Sequence, residues 1–157
     1  GNRRSGTINV TGIVGLGAAV EQLNKETQEK ENEHVRAVRD YLVECINKTI
    51  PDVRLNTNRD VSTPAHAHYS FLGCEGESIL ISLDLEGIAV STGSACAAGS
   101  LKASHVVLAM GIPVEESHSS IRFSLCKHNS KEDVDRLMEV LPATIERLRK
   151  MNPLYKK

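Results

Sequence analysis

An α/β fold built on a short, largely antiparallel sheet is what this sequence predicts, and three observations predict it. Two segments alternate apolar with polar residues as strands do: His66-Ala67-His68-Tyr69-Ser70-Phe71-Leu72 and Ile121-Arg122-Phe123-Ser124-Leu125-Cys126. Other stretches carry a helical period, the clearest being Val134, Leu137, Met138, Leu141, Ile145 and Leu148. Short turn-rich joints separate them, so three or four short strands are expected to pack on the last helix, the short helices and part of a long first one.

The elements follow in order. From Val10 to about Asn47 the pattern is helical, with Val20, Leu23, Val35, Val38, Leu42, Cys45 and Ile46 on one face. Residues 24–33 are polar on every side, so the expectation is a long helix, whole or with a break, whose middle is solvated or bridges two packed regions. Pro51 ends it, Val53-Arg54-Leu55 is a short strand, and a polar loop runs through Pro64. After the 66–72 strand, Gly73-Cys74-Glu75-Gly76 is a turn and Glu77 to Glu86 a helix stopped by Gly87. Ser104 is placed to cap a short helix that Gly111 stops, and Ile112 to Ser117 reads as a connecting loop. Ser130 with Asp133 makes a capping box for the last helix, which Pro142 should kink.

At 157 residues the chain is long enough for a real core, and with 3% aromatics that core must come from Leu, Ile, Val and Ala. A formal net charge of -1 offers no basic field for nucleic acid and no acidic excess for disorder. Cys45, Cys74, Cys96 and Cys126 form no Cys-x-x-Cys pair, and no secretory segment precedes them, which fits free thiols in a reducing compartment. The longest apolar stretch, Gly12 to Val20, falls far short of a membrane span. A cytoplasmic chain without membrane or nucleic-acid partners is therefore expected, and its opening at Gly1 without methionine adds the expectation of a fragment.

Three stretches carry chemistry. Ser91-Thr92-Gly93-Ser94-Ala95-Cys96-Ala97-Ala98-Gly99-Ser100 is a run of small residues around one nucleophile. It reads as a mobile loop presenting a thiol between a strand end and a helix start. Lys102 and His105 nearby are the kind of neighbours that lower a thiol pKa. An ordinary buried cysteine is the competing reading. Arg3-Arg4-Ser5-Gly6-Thr7 has the parts of an anion cradle, although a helix cap with two solvated arginines explains it as well. Arg122 lies on a strand face opposite the core, where it is either a fixed two-pronged carboxylate receptor or a solvent-facing arginine. His66 and His68 share a face, but no third ligand stands at supporting spacing, so no metal site is expected. Cys45 reads as core, Cys74 as a weak candidate for any role, and His118 as a loop residue, with a place at the rim of the site as the alternative.

The residues Ser91 to Gly99 with the helix behind them, Arg4-Ser5-Gly6-Thr7-Ile8-Asn9, and Ser119-Ser120-Ile121-Arg122-Phe123-Ser124-Leu125 resemble, in this order, three motifs of the NifS/IscS-type cysteine desulfurases. These are pyridoxal-phosphate enzymes of the class V aminotransferase family. The resemblance runs over nearly the whole chain. It implies the small C-terminal domain of a fold-type I pyridoxal-phosphate enzyme at 21–157, with 1–20 as the tail of the large cofactor domain and the start of the linking helix.

For the complete protein the resemblance implies a homodimer that takes sulfur from L-cysteine, leaves L-alanine and passes the sulfur to an acceptor such as an iron-sulfur scaffold protein. Cys96 would carry it as a persulfide, Arg122 would bind the substrate carboxylate, and Thr7 would reach the cofactor phosphate of the neighbouring subunit. The Schiff-base lysine has no counterpart here, so this chain alone is expected to be inactive and not to hold pyridoxal 5'-phosphate stably. Cys126 stands where the family usually has glycine. A docking module for a sulfur acceptor, a metal site using Cys96 with His105 or the 66/68 pair, and a selenocysteine lyase remain the alternatives.

Overall fold

The structure is a computed structural model that describes residues 5–92 and 104–155. The elements are α1 (Val10–Glu21), α2 (Lys25–Thr49), β1 (Val53–Leu55), β2 (His66–Phe71), α3 (Gly76–Asp84), β3 (Ser91–Thr92), α4 (His105–Ala109), α5 (Val114–Ser117), β4 (Ser120–Ser124) and α6 (Lys131–Met151). The four strands form one sheet in the order β1-β2-β4-β3 with every pair antiparallel, as the alternating segments predict.

Alternation puts Ala67, Tyr69, Phe71, Ile121 and Phe123 on one face, all buried. That face meets the apolar stripes of α2 (Val38, Leu42, Ile46) and α6 (Leu137, Leu141, Ile145), while α3 adds Ile79 and Leu83. The two phenylalanines of the chain meet here, Phe71 edge-on to Phe123 with ring centres 6.4 Å apart. Fully buried Tyr69 donates its hydroxyl to Asn47 Oδ1 at 3.0 Å, which spares it an unmet donor.

The helical stretch from Val10 has the break left open above and forms two helices. Asn24 takes an extended backbone, and its side chain accepts from the Thr27 N–H at 2.9 Å, so it caps a new helix instead of continuing the old one. Val20 and Leu23, assigned to a buried face, are both more than half exposed, and α1 buries none of its residues. The first residues of α2 are solvated as expected, and its burial begins at Val35.

Smaller corrections follow the same logic of local hydrogen bonding. Residues 112–117, expected as loop, include the one-turn helix α5, where the Ser117 N–H reaches the Pro113 carbonyl at 2.9 Å. The strand expected through Cys126 ends at Ser124, because the Asn129 side chain takes the Cys126 N–H at 2.9 Å into a turn. Ser104 occupies the cap position of α4 without a side-chain cap bond.

The 130/133 capping box is present, and α6 runs on through Pro142, which has no N–H to offer the preceding turn. Its basic end does more than complement the helix dipole. Buried Arg149 donates to the Leu72 carbonyl at 2.9 Å and the Asp52 carbonyl at 2.8 Å, tying α6 to both strands at one end of the β1–β2 layer. Gly76 must be glycine for packing: a Cβ there would sit 2.8 Å from the Ser120 carbonyl, where α3 starts against β4.

Candidate active site

The sheet's other face is polar, and one level of it crosses all four strands. His68 on β2 stands opposite Arg122 on β4, and Arg122 stands opposite Ser91 on β3. Asn56, one residue past β1, donates its N–H to the His68 carbonyl at 2.7 Å and so completes the row Asn56, His68, Arg122, Ser91. Opposed residues of an antiparallel pair project to the same side, so the row is a side-chain neighbourhood. Ser91 also opens the small-residue run that contains Cys96 five positions on. Cys96 and Lys102 lie outside the described residues.

Arg122 is exposed on this face and forms no ion pair among the described residues. His68 is half-buried. Its Nδ1 lies 3.5 Å from Asn56 Nδ2, and its Nε2 is buried without a hydrogen-bond partner among the described residues. Burial, and then the neighbouring charge of Arg122, push its pKa below the ordinary imidazole value, so the ring is neutral near pH 7. Behind it stands a compact network. Arg54 Nε donates to Asn56 Oδ1 at 3.1 Å, and Asn56 Nδ2 donates to Ser70 Oγ at 2.9 Å. Ser70 Oγ in turn donates to the Glu116 carbonyl at 3.1 Å, and Arg54 Nη2 pairs with Glu116 Oε2 at 2.7 Å.

The sequence-predicted residues are not all brought together. Thr7 is exposed in the segment leading into α1, next to Gly6 at φ 87°, and is not part of the row. His66 is exposed at the start of β2, His105 is exposed at the start of α4, and His118 is exposed at the end of α5. No group of three metal-ligating side chains occurs among the described residues. Cys74 is half-buried with its thiol against the Ile145 carbonyl at 3.7 Å, and burial pushes its pKa up, which makes it a poor nucleophile. Cys45 packs against the core, and Cys126 is exposed beyond β4. The Asn56 network was missed from sequence, although the polar spacing of Arg54 and Asn56 across the end of β1 was a usable signal of a shared face.

Three cavities bounded by described residues lie elsewhere. One of about 690 Å³ is lined by Asp40, Tyr41 and Arg59, one of about 730 Å³ by Ser82 and Arg147, and one of about 550 Å³ by Pro142 and Tyr155. None of the three contains Thr7, His68 or Arg122. No described helix is long and apolar enough to cross a membrane.

Among curated proteins, the chain is 46% identical over 155 residues to a protein named cysteine desulfurase IscS from Clostridium botulinum, covering 98% of this chain and 39% of that protein. It is 47% identical over 152 residues to one of the same name from Dictyoglomus turgidum, covering 97% and 38%. The chain thus spans about two-fifths of the length of these relatives. Among solved structures, a NifS-like protein from Rickettsia africae superposes with a TM-score of 0.76 at 29% identity, over 91% of this chain and 36% of that one. A second NifS-like protein superposes with a TM-score of 0.70 at 30% identity, over 94% and 35%. The aminotransferase class V profile matches residues 1–137. With that match over most of its length and the fold of NifS-like proteins, the chain belongs to the aminotransferase class V family.

Proposed function

We propose that this chain is the C-terminal part of a cysteine desulfurase, with residues 21–157 as its small domain and 1–20 as the join to the cofactor domain. The observation that carries the reading is the register that sets Arg122 beside Ser91, the first residue of the cysteine run, on a polar sheet face. Five residues of chain reach at most about 18 Å, and this short separation in sequence supports assigning the thiol and the carboxylate receptor to one substrate site. Identity of 44–47% to proteins named cysteine desulfurase supports the same reading.

In this reading Arg122 orients the substrate by its carboxylate with two parallel hydrogen bonds. The Cys96 thiolate attacks the sulfur of bound L-cysteine, so that an S–S bond forms as the C–S bond breaks. The electron pair of the broken bond stays with carbon, which takes up a proton to become the methyl group of L-alanine. Cys96 is left as a persulfide, ready to pass its outer sulfur to an acceptor protein such as an iron-sulfur scaffold. Pyridoxal 5'-phosphate, when bound to the complete protein, supplies the electron sink this chemistry needs.

The described residues do not fit that whole group by themselves. Thr7 offers one exposed hydroxyl, and none of the three cavities described contains it. We read Thr7 as contributing to the phosphate of a partner subunit's cofactor in a homodimer of a cytoplasmic enzyme.

The test uses the complete protein, L-cysteine and reductant, following alanine together with the mass of the peptide containing Cys96. The expected result is alanine formation with a gain of one sulfur atom on Cys96, both lost in Cys96→Ala. Alanine formed at the same rate by Cys96→Ala, with no sulfur on Cys96 of the wild type, would overturn the reading.

A further inference from the structure

We propose that His68 Nε2–H is the second donor of the substrate-carboxylate site, so that the amino acid is held between the Arg122 guanidinium and the His68 imidazole. This deepens the function proposed above and rests on it for the identity of the ligand.

Arg54 can only donate, so its 3.1 Å bond fixes which end of the Asn56 amide is oxygen. The amide nitrogen then faces Ser70 Oγ at 2.9 Å and His68 Nδ1 at 3.5 Å. An amide nitrogen has no lone pair to offer, so Nδ1 must be the acceptor and the ring proton sits on Nε2. Glu116 neutralises Arg54 at 2.7 Å, which leaves Asn56 as a neutral fixed dipole behind the ring.

That tautomer aims one N–H at a place where no described residue accepts it. A buried donor without an acceptor is costly, and native structures keep one where a ligand or a function requires it. The neighbour directly across the strand pair is Arg122, which also only donates and has no ion-pair partner among the described residues. Two adjacent donors, one cationic and one neutral, want a single anionic acceptor with more than one oxygen. A carboxylate meets that requirement. The lowered pKa of His68 fits the arrangement, since a neutral ring beside Arg122 avoids placing two cations together.

The experiment uses the complete protein. With histidine labelled in nitrogen-15, His68 is expected to show the Nε2–H tautomer, with a downfield move of the Nε2 proton when L-alanine is added and none when ethylamine is added. A protonated Nδ1, or an Nε2 proton indifferent to L-alanine, would overturn the proposal whatever the turnover assay shows, because this readout needs no desulfurase activity.

In the kinetic arm, His68→Phe should raise KM for L-cysteine about tenfold with kcat nearly unchanged, as expected for one hydrogen bond to a charged group. His68→Gln, which restores a donor near the Nε2 position, should recover most of the loss. Cysteamine, which lacks the carboxylate, should react equally with wild type and His68→Phe. An equal loss with both substrates, or no loss with L-cysteine, would count against the proposal.

Discussion

The two faces of the sheet are made from alternate residues of the same strands, and they solve opposite problems. On one, Ala67, Tyr69, Phe71, Ile121 and Phe123 are buried against α2 and α6, and the only hydroxyl among them is matched to Asn47. On the other, Asn56, His68, Arg122 and Ser91 stand in a row with a buried donor left open and a guanidinium without an ion-pair partner among the described residues. The first face has its bonding needs met within the chain and sets stability. The second keeps unspent hydrogen-bonding capacity, as a surface built for a ligand does. A period of two residues lets one short sheet do both, since neighbouring side chains never share a face.

The contrast is broken most strongly by Phe71→Ala. It empties a fully buried site beside Tyr69 and Phe123 and should cost about 3–5 kcal/mol, read as a lower midpoint in urea unfolding with the slope unchanged. A loss below about 1 kcal/mol would mean that this face is not the core.

Arg149→Met tests one of the two buried cations among the described residues, Arg39 being the other. It removes the side-chain donor from the Leu72 and Asp52 carbonyls, the second of which keeps the Leu72 N–H at 3.1 Å, and a loss of about 2 kcal/mol is expected in the same measurement. A neutral result would show that these carbonyls find water instead.

The smallest effect belongs to the polar face and concerns pH. The folded pKa of His68 lies below the ordinary value of about 6.5, so the unfolded chain binds more protons than the folded one just below that pH. Its contribution to stability is therefore complete above about pH 6.5 and is lost as the pH falls through the folded pKa. Stability measured from pH 7 down to 5 should decline more gently in His68→Gln than in wild type. Identical slopes would remove His68 as a source of acid sensitivity.

How much was legible in the sequence differs between these faces. Tyr69, Phe71, Ile121 and Phe123 announce their burial through strict alternation, because burial acts on every second residue and leaves a period to read. The carboxylate-receptor role proposed for Arg122 comes from the family motif around it, since alternation puts it on the open face without saying whether solvent or a ligand waits there. The partner network of His68 was not legible beyond the shared face of Arg54 and Asn56, because Asn56 and Glu116 come to it from distant positions and leave no period. The polar middle of the first helical stretch left a break open without deciding it: an Asn cap competes with helix continuation by a single hydrogen bond, a margin that a pattern of apolar residues does not register.

By itself the sequence determined the class of fold, the alternating strands, the stripe and capping box of α6, and the motifs that tie the chain to its family. All of these depend on residues near one another along the chain. The tertiary structure alone decided that Ser91, Arg122, His68 and Asn56 fall on one level of one sheet. Strand order and register are set by how the apolar faces of distant segments fit over a common core, and that fit fixes which polar residues meet on the opposite side.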